Sequence, residues 1–295
     1  MSCVTRDNIA APRHDRRSLS RSGQYLCAGL AVLTLILIAP EGAAAQDGSF
    51  LRGSLGSPVR WDGVFFGAQL GLTNMNTDFG NSTSQLVAFS LRNTTLENEA
   101  QPSSWTTLPS NTTNGRQYGA FIGYNYQSEQ LVLGFDVAYT RMSSLETSAS
   151  DTISRQVSTS DGFLNQVNIV GQSSLKLIDY ATLRARAGYA FGQFLPYVVL
   201  GAAVGRVNYA TTATTTVSGT NSSTTPPTTY GPNVDTQSNS KNNALIGGGV
   251  VGLGVDVALL PNVFLRGEWE FVAFAPVGGI RANINSGKVG IGVRF

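Results

Sequence analysis

The chain has 295 residues, with 42% hydrophobic residues, 13% charged residues and 33 glycines. A formal net charge of +2, from 20 Lys+Arg against 18 Asp+Glu, gives no electrostatic case for nucleic acid as a partner, since backbone phosphate binding draws on a basic surplus. Cys3, His14 and Cys27 are the only cysteines and histidine, all near the N-terminus. The remainder therefore excludes Cys–His metal centres and nucleophile–histidine dyads.

The first 45 residues read as an export signal. Arg13, Arg16, Arg17 and Arg21 precede the apolar run 26–39 (LCAGLAVLTLILIA), and Ala43-Ala44-Ala45 follows as a small-residue cleavage signature, so that Gln46 becomes the first mature residue. The run has 14 residues, fewer than the about 20 that a spanning helix needs. An uncleaved anchor is the competing reading. Cys27 sits at the start of the run, the wrong place for lipid attachment. Loss of 1–45 removes five basic and three acidic residues and leaves 15 of each sign. Residues 46–60 are polar and Gly/Ser-bearing and read as a linker before one domain, 61–295.

That domain divides into eight segments whose apolar residues recur at every second position, the period of a strand with one greasy face and one polar face. Segment 61–74 sets Val64, Phe66, Ala68, Leu70 and Leu72 against Gly63, Gly67, Gln69 and Gly71. Segment 116–126 alternates Tyr118, Ala120, Ile122, Tyr124 and Tyr126 with Gly119, Gly123 and Asn125, and segment 130–141 opposes Leu131, Leu133, Phe135, Val137 and Tyr139 to Gly134, Asp136 and Thr140. Segment 177–191 sets Ala181, Leu183, Ala185, Ala187 and Tyr189 against Thr182, Arg184 and Arg186. Segment 194–209 is apolar on both faces from Val198 to Val204; Arg206 and Asn208 are read as inward, which turns Tyr197, Val199, Val207 and Tyr209 outward. Segment 244–259 puts Leu253, Val255 and Val257 opposite Gly252, Gly254 and Asp256. Segment 263–274 puts Val263, Leu265, Trp269 and Phe271 opposite Arg266, Glu268 and Glu270. In 288–295, Val289, Ile291, Val293 and Phe295 alternate with Lys288, Gly290, Gly292 and Arg294.

Connections alternate between short (127–129, 192–193, 260–261) and longer (75–115, 142–176, 210–243, 275–283), and the three longest are rich in Thr, Ser and Asn. Strict alternation of this kind predicts an all-β, eight-stranded antiparallel up-and-down transmembrane β-barrel, with tight turns at a periplasmic rim, long external loops, and both termini periplasmic. Leu86–Leu91 and Phe163–Val170 are β-prone stretches that bear on whether loops extend the barrel as hairpins. Trp61, Tyr118, Tyr124, Tyr126, Tyr139, Tyr189, Tyr197, Trp269 and Phe295 lie near segment ends and are assigned to two interfacial aromatic girdles.

Three stretches carry a resemblance to a known family: Trp61 to Gly67 (WDGVFFG); Gly252 to Ala258 (GLGVDVA) running through Pro261-Asn262 into Phe264 to Glu270 (FLRGEWE); and Gly290 to Phe295 (GIGVRF). In these the chain resembles the porin-like, opacity-protein-like outer-membrane β-barrels of Gram-negative bacteria. The resemblance implies location in the outer membrane. It also implies that Val289, Ile291, Val293 and Phe295 form the terminal signal read by the barrel-assembly machinery.

Asp136, Arg184, Arg186, Arg206, Asp256, Arg266, Glu268, Glu270, Lys288 and Arg294 are the charges assigned to the lumen. Eight strands enclose only enough space for their own side chains, so these charges are expected to pair into an internal plug. A narrow conduit is the alternative. Glu268 and Glu270 share a face like a carboxylate pair, but Arg266 beside them makes charge pairing the simpler account, and no enzyme activity and no cofactor are expected. Asn81, Asn93, Asn111 and Asn221 head N-x-S/T triplets, read as loop composition. Three roles remain open. One is a structural and surface-interaction protein whose loops meet lipopolysaccharide, host or surface ligands; the others are a small porin and a soluble lipocalin-like barrel.

Overall fold

The computed structural model describes residues 59–295. The predicted signal, its cleavage residues Ala43, Ala45 and Gln46, and most of the predicted linker lie outside the described residues. Eight strands follow one another in sequence order around a closed barrel: β1 (Gly63–Asp78), β2 (Asn111–Ser128), β3 (Leu131–Ser158), β4 (Leu164–Tyr189), β5 (Phe194–Asn221), β6 (Thr228–Leu260), β7 (Val263–Phe274) and β8 (Arg281–Arg294). Every pairing is antiparallel, and β8 closes on β1 with Ile291 opposite Ala68 and Val289 opposite Leu70. Closure removes the free edges that an open sheet would present. The topology is the one expected from the alternating connections.

The outward face of the lower barrel is apolar. Phe66, Leu70, Leu72, Ile122, Leu133, Phe135, Leu183, Leu200, Leu265, Val289 and Ile291 are all exposed, as are Tyr118, Tyr124, Tyr126, Tyr139, Tyr189 and Phe295. A continuous apolar exterior of this kind is the surface a bilayer wets. Trp61 and Tyr197, assigned above to the aromatic girdles, are instead buried inside.

The parity expected for the fifth segment is reversed. Tyr197, Val199 and Val207 are buried, whereas Val198, Leu200 and Val204 are exposed. Arg206 shares the exposed face and is corrected from a lumen charge to an outward one. The run from Val198 to Val204 is apolar on both faces because one face meets lipid and the other meets packed interior, so alternation carries no sign there.

Two of the predicted long loops are mostly strand. Ser158 pairs with Leu164 and Asn221 with Thr228, which leaves turns at 159–163 and 222–227. Phe163–Val170 thus belongs almost entirely to β4, while Leu86–Leu91 lies largely in a helix rather than a strand. Strands β3 to β6 rise past β2 and β7 as a four-stranded stem. Register irregularities mark its base, between Arg141 and Leu145 in β3, Leu177 and Asp179 in β4, and Val207 and Tyr209 in β5. Ser144 and Asn243 at the base have positive φ (57° and 53°). A bulge inserts a residue and re-aims the side chains beyond it.

The remaining long connection, 79–110, carries helices α1 (Ser84–Ser90) and α2 (Thr95–Ala100). The Thr94 hydroxyl accepts the Glu97 backbone N–H at 3.1 Å and caps α2. Val87, Leu91 and Leu96 pack on Val167, Ile169, Ala213 and Val217, covering the inner face of the stem.

Candidate functional site in the barrel interior

The interior is stratified. At the short-turn rim, Trp61, Phe65, Phe121, Val132, Leu195 and Phe264 form an apolar layer, with Phe65 and Phe264 edge-to-face at 6.2 Å between ring centroids. Inward glycines make this layer possible. A Cβ on Gly292 would overlap the Phe264 ring, and one on Gly123 would overlap that of Phe65. Glycine abundance in these strands therefore reflects aromatic rings lying on bare backbone. At the other end Met75, Phe79, Leu145, Leu175, Leu177, Val207, Phe274, Ile280 and Ile284 form a second apolar layer.

Between the two lies a charged layer. Arg184 is its hub: Nε donates to Asp136 Oδ1 at 2.7 Å, and Nη1 donates to Glu268 Oε1 at 2.5 Å and to Glu270 Oε2 at 2.7 Å. Lys288 Nζ donates to Glu270 Oε1 at 2.6 Å. Arg266 holds Asp256 with two bonds, Nε to Oδ1 at 2.8 Å and Nη2 to Oδ2 at 2.9 Å, while Arg186 Nη2 reaches the same Oδ2 at 2.9 Å. Two of these contacts join directly opposed cross-strand residues, Asp136 with Arg184 and Asp256 with Arg266, and Lys288 lies 3.9 Å from Glu268, the residue directly opposite it. Register brings them together, as cross-strand pairing does on any sheet face.

Two tyrosines complete the layer. Tyr180 donates to Glu270 Oε1 at 2.8 Å, and Tyr197 donates to Glu268 Oε2 at 2.9 Å. Cation–π contacts add to this, with Arg186 3.9 Å from the Tyr197 ring centroid and Arg266 4.1 Å from that of Phe121. Tyr197 reads as lipid-facing in the sequence because a tyrosine between apolar neighbours suits either face, whereas Tyr180 shares the inward parity of Thr182 and Arg184, which is the signal that could have found it.

Of the ten charges assigned to the lumen, eight lie in this layer: Asp136, Asp256, Glu268 and Glu270 against Arg184, Arg186, Arg266 and Lys288. Arg206 lies outside, paired with Asp179. Arg294 points inward at the short-turn rim, where it donates to the Pro261 carbonyl (Nε 3.0 Å, Nη2 2.7 Å) and stacks over Trp61 at 4.5 Å. With these two set aside, the layer is balanced, four acids to four bases. Asp136 and Glu270 are 0% exposed, and Arg184 and Arg266 are 1% exposed, so solvent does not reach it. Charges so buried persist only with this density of pairing. Among the described residues no group of three or more His, Cys, Asp or Glu is placed to hold a metal ion.

A closed eight-stranded barrel, apolar outside and filled inside by paired charges, defines an integral β-barrel membrane protein. The chain matches the family model described as outer membrane protein beta-barrel domain over residues 30–295, and it belongs to that family. Its place is the cell outer membrane, and its surroundings include the lipid bilayer.

Among solved structures it is similar to OprG of Pseudomonas aeruginosa, at 10% identity and a TM-score of 0.34 over 82% of this chain and 98% of that one. Neisserial surface protein A gives 14% identity and 0.31 over 79% and 100%. Ail, the attachment invasion locus protein of Yersinia pestis, in complex with the heparin analogue sucrose octasulfate, gives 11% and 0.31 over 79% and 99%. At such identities and TM-scores these likenesses bear on no ligand or activity of this chain. No curated protein matches the sequence.

Proposed function

We propose that this is a surface-interaction protein: a sealed outer-membrane anchor that raises the β3–β6 stem above the cell surface. The stem is the observation that carries the reading. Its outward face bears Ser150, Thr152 and Ser154 on β3, Asn168 and Gln172 on β4, Thr214 on β5 and Thr236 and Ser238 on β6, an uncharged array of hydroxyls and amides on a rigid sheet. Binding groups on a rigid scaffold lose little entropy when a partner docks. A groove of about 360 Å³ lies in this region, lined by Ser148, Ser150, Gln172, Ser174, Ala210 and Thr212 among others.

In this reading the signal 1–45 is cleaved to leave Gln46 first, 46–60 is a periplasmic linker, and both termini lie in the periplasm. Val289, Ile291, Val293 and Phe295, all on the outward parity of β8, engage the barrel-assembly machinery. The stem and the helical loop face outward toward lipopolysaccharide and host or surface ligands. The solvent-inaccessible charge layer, lying between two apolar layers, supports a plug over a pore, and supports a role without catalysis.

The test pairs two measurements on the full chain and on a variant in which short Asn-Gly turns replace 148–174 and 211–239. Cells displaying the full chain are expected to adhere to host-matrix or bacterial surfaces several-fold better than cells displaying the stemless variant, and the refolded barrel is expected to leave planar bilayers silent. Equal adhesion together with steady openings would favour the porin reading instead.

A further inference from the structure

At the base of the stem the outward face carries a row of arginines. On β2, β3 and β5 the last outward residues of the apolar band are Tyr118, Tyr139 and Val204, and the next outward residues are Arg116, Arg141 and Arg206. Register gathers them: Tyr118 is opposite Arg141, Arg141 opposite Asp179, and Asp179 opposite Arg206. Arg116 is diagonal to Arg141, a separation of roughly 7–8 Å on a sheet.

One carboxylate faces three guanidiniums, and it is already engaged. Asp179 takes Nε of Arg206 at 3.2 Å and a closer bond from Nη2, and it accepts the Tyr139 hydroxyl at 3.0 Å. Its side chain is 8% exposed. Arg116 and Arg141 are exposed and form no ion pair among the described residues. The next charges up the stem, Lys176 and Glu146, neutralise each other at 3.6 Å. The row therefore holds two uncompensated guanidiniums at the edge of a hydrocarbon-facing band, the depth of lipid headgroups, where a guanidinium can clamp a phosphate with two parallel bonds. Just past the Lys176–Glu146 pair begins the groove lined by Ser148, Gln172, Ser174 and Thr212, all hydroxyl or amide and uncharged.

We propose that this row binds the phosphates of a phosphorylated glycolipid, the lipopolysaccharide of the outer leaflet. Arg116 and Arg141 clamp phosphate, the Arg206–Asp179–Tyr139 cluster is the fixed wall beside it, and the groove takes the first sugars. Phosphate alone would fit any anionic lipid; the adjoining uncharged hydroxyl groove selects a sugar-bearing one. The proposal rests on the orientation given under Proposed function.

The experiment uses the refolded full chain in detergent and native mass spectrometry with four probes: lipid A carrying two phosphates, dephosphorylated lipid A, lipopolysaccharide with its core sugars, and phosphatidylglycerol. Bisphosphorylated lipid A should bind at least tenfold better than its dephosphorylated form and better than phosphatidylglycerol. The Arg116→Gln/Arg141→Gln double variant should lose that preference while keeping the heat-modifiable gel shift of a folded barrel. Thr212→Trp should weaken the core-bearing form more than lipid A. Retained binding in the double variant, or equal binding of phosphatidylglycerol, overturns the site. Ser222→Cys labelled in intact cells reports the orientation separately. Labelling only after permeabilisation overturns the orientation and with it the outer-leaflet assignment, whereas external labelling without phosphate preference overturns the site alone.

Discussion

One continuous sheet follows opposite rules on either side of the Arg141–Asp179–Arg206 row. Below it, β3 to β6 put Phe135, Leu183, Leu200 and Leu253 outward and Asp136, Arg184 and Asp256 inward. Above it the same strands bury Leu145, Ile169, Ala213 and Val217 and turn Ser150, Gln172 and Thr236 outward. Hydrogen bonding does not distinguish the halves, since the ladder runs through both. Solvent does. Lipid rewards an apolar exterior and makes a polar interior tolerable only when fully paired; water rewards the reverse. Bulges at the junction let parity change without breaking the ladder on β3 and β4.

Substitutions that put the wrong chemistry in each half test that comparison. The largest effect is expected from Arg184→Met, which leaves Asp136 without a cation in the dry interior and Glu268 and Glu270 with Lys288 alone; breaking a buried pair costs about 3–5 kcal/mol. Urea titration of the folded, heat-modifiable band in vesicles measures it, and an unchanged midpoint would mean that the charge layer is not what holds the lower barrel. Ile291→Arg, on the lipid-facing side of β8, should cost roughly 2–4 kcal/mol in the same titration if it lies near the bilayer midplane.

Leu96→Ala removes a buried contact between α2 and the stem, and a loss of about 2 kcal/mol or more is expected there. The readout is local, namely faster protease cleavage within 79–110 with no change in barrel migration. Cleavage that leaves the rate untouched would separate the helical loop from the stem. Smallest of all is Ser238→Arg, on the outward face of the stem, where the change should stay within about 0.5 kcal/mol. A charge tolerated at Ser238 but not at Ile291 is the contrast between water and lipid in one sheet; equal penalties would erase it.

Legibility in the sequence tracks the solvent. Where strands cross the apolar band, one face must be greasy throughout, so β7 and β8 could be read residue by residue, with Arg266, Glu268, Glu270 and Lys288 placed inward. In the stem the outward face is mainly polar, and 210–243 reads as loop because Thr, Ser and Asn serve strands and loops alike. A signal was nonetheless present. Val167, Ile169, Leu175 and Leu177 alternate with Gln166, Asn168, Ser174 and Lys176, the strand period with its polarity turned over. Arg206 was misplaced because β5 is apolar on both faces for several residues, and nothing local tells lipid from core.

By itself the sequence determined strand number, the order of short and long connections, and the lipid-facing side of most strands, since each follows from period-two alternation set by a bilayer. Only the tertiary structure decided the rest. It decided that Arg184 joins Asp136 on the neighbouring β3 to Glu268 and Glu270 on the distant β7, that Tyr180 and Tyr197 belong to the interior, that Arg206 meets Asp179 on the outside, and that the helical loop roofs the stem. Those contacts depend on register and closure, which are properties of strands taken together and leave no trace in any one of them.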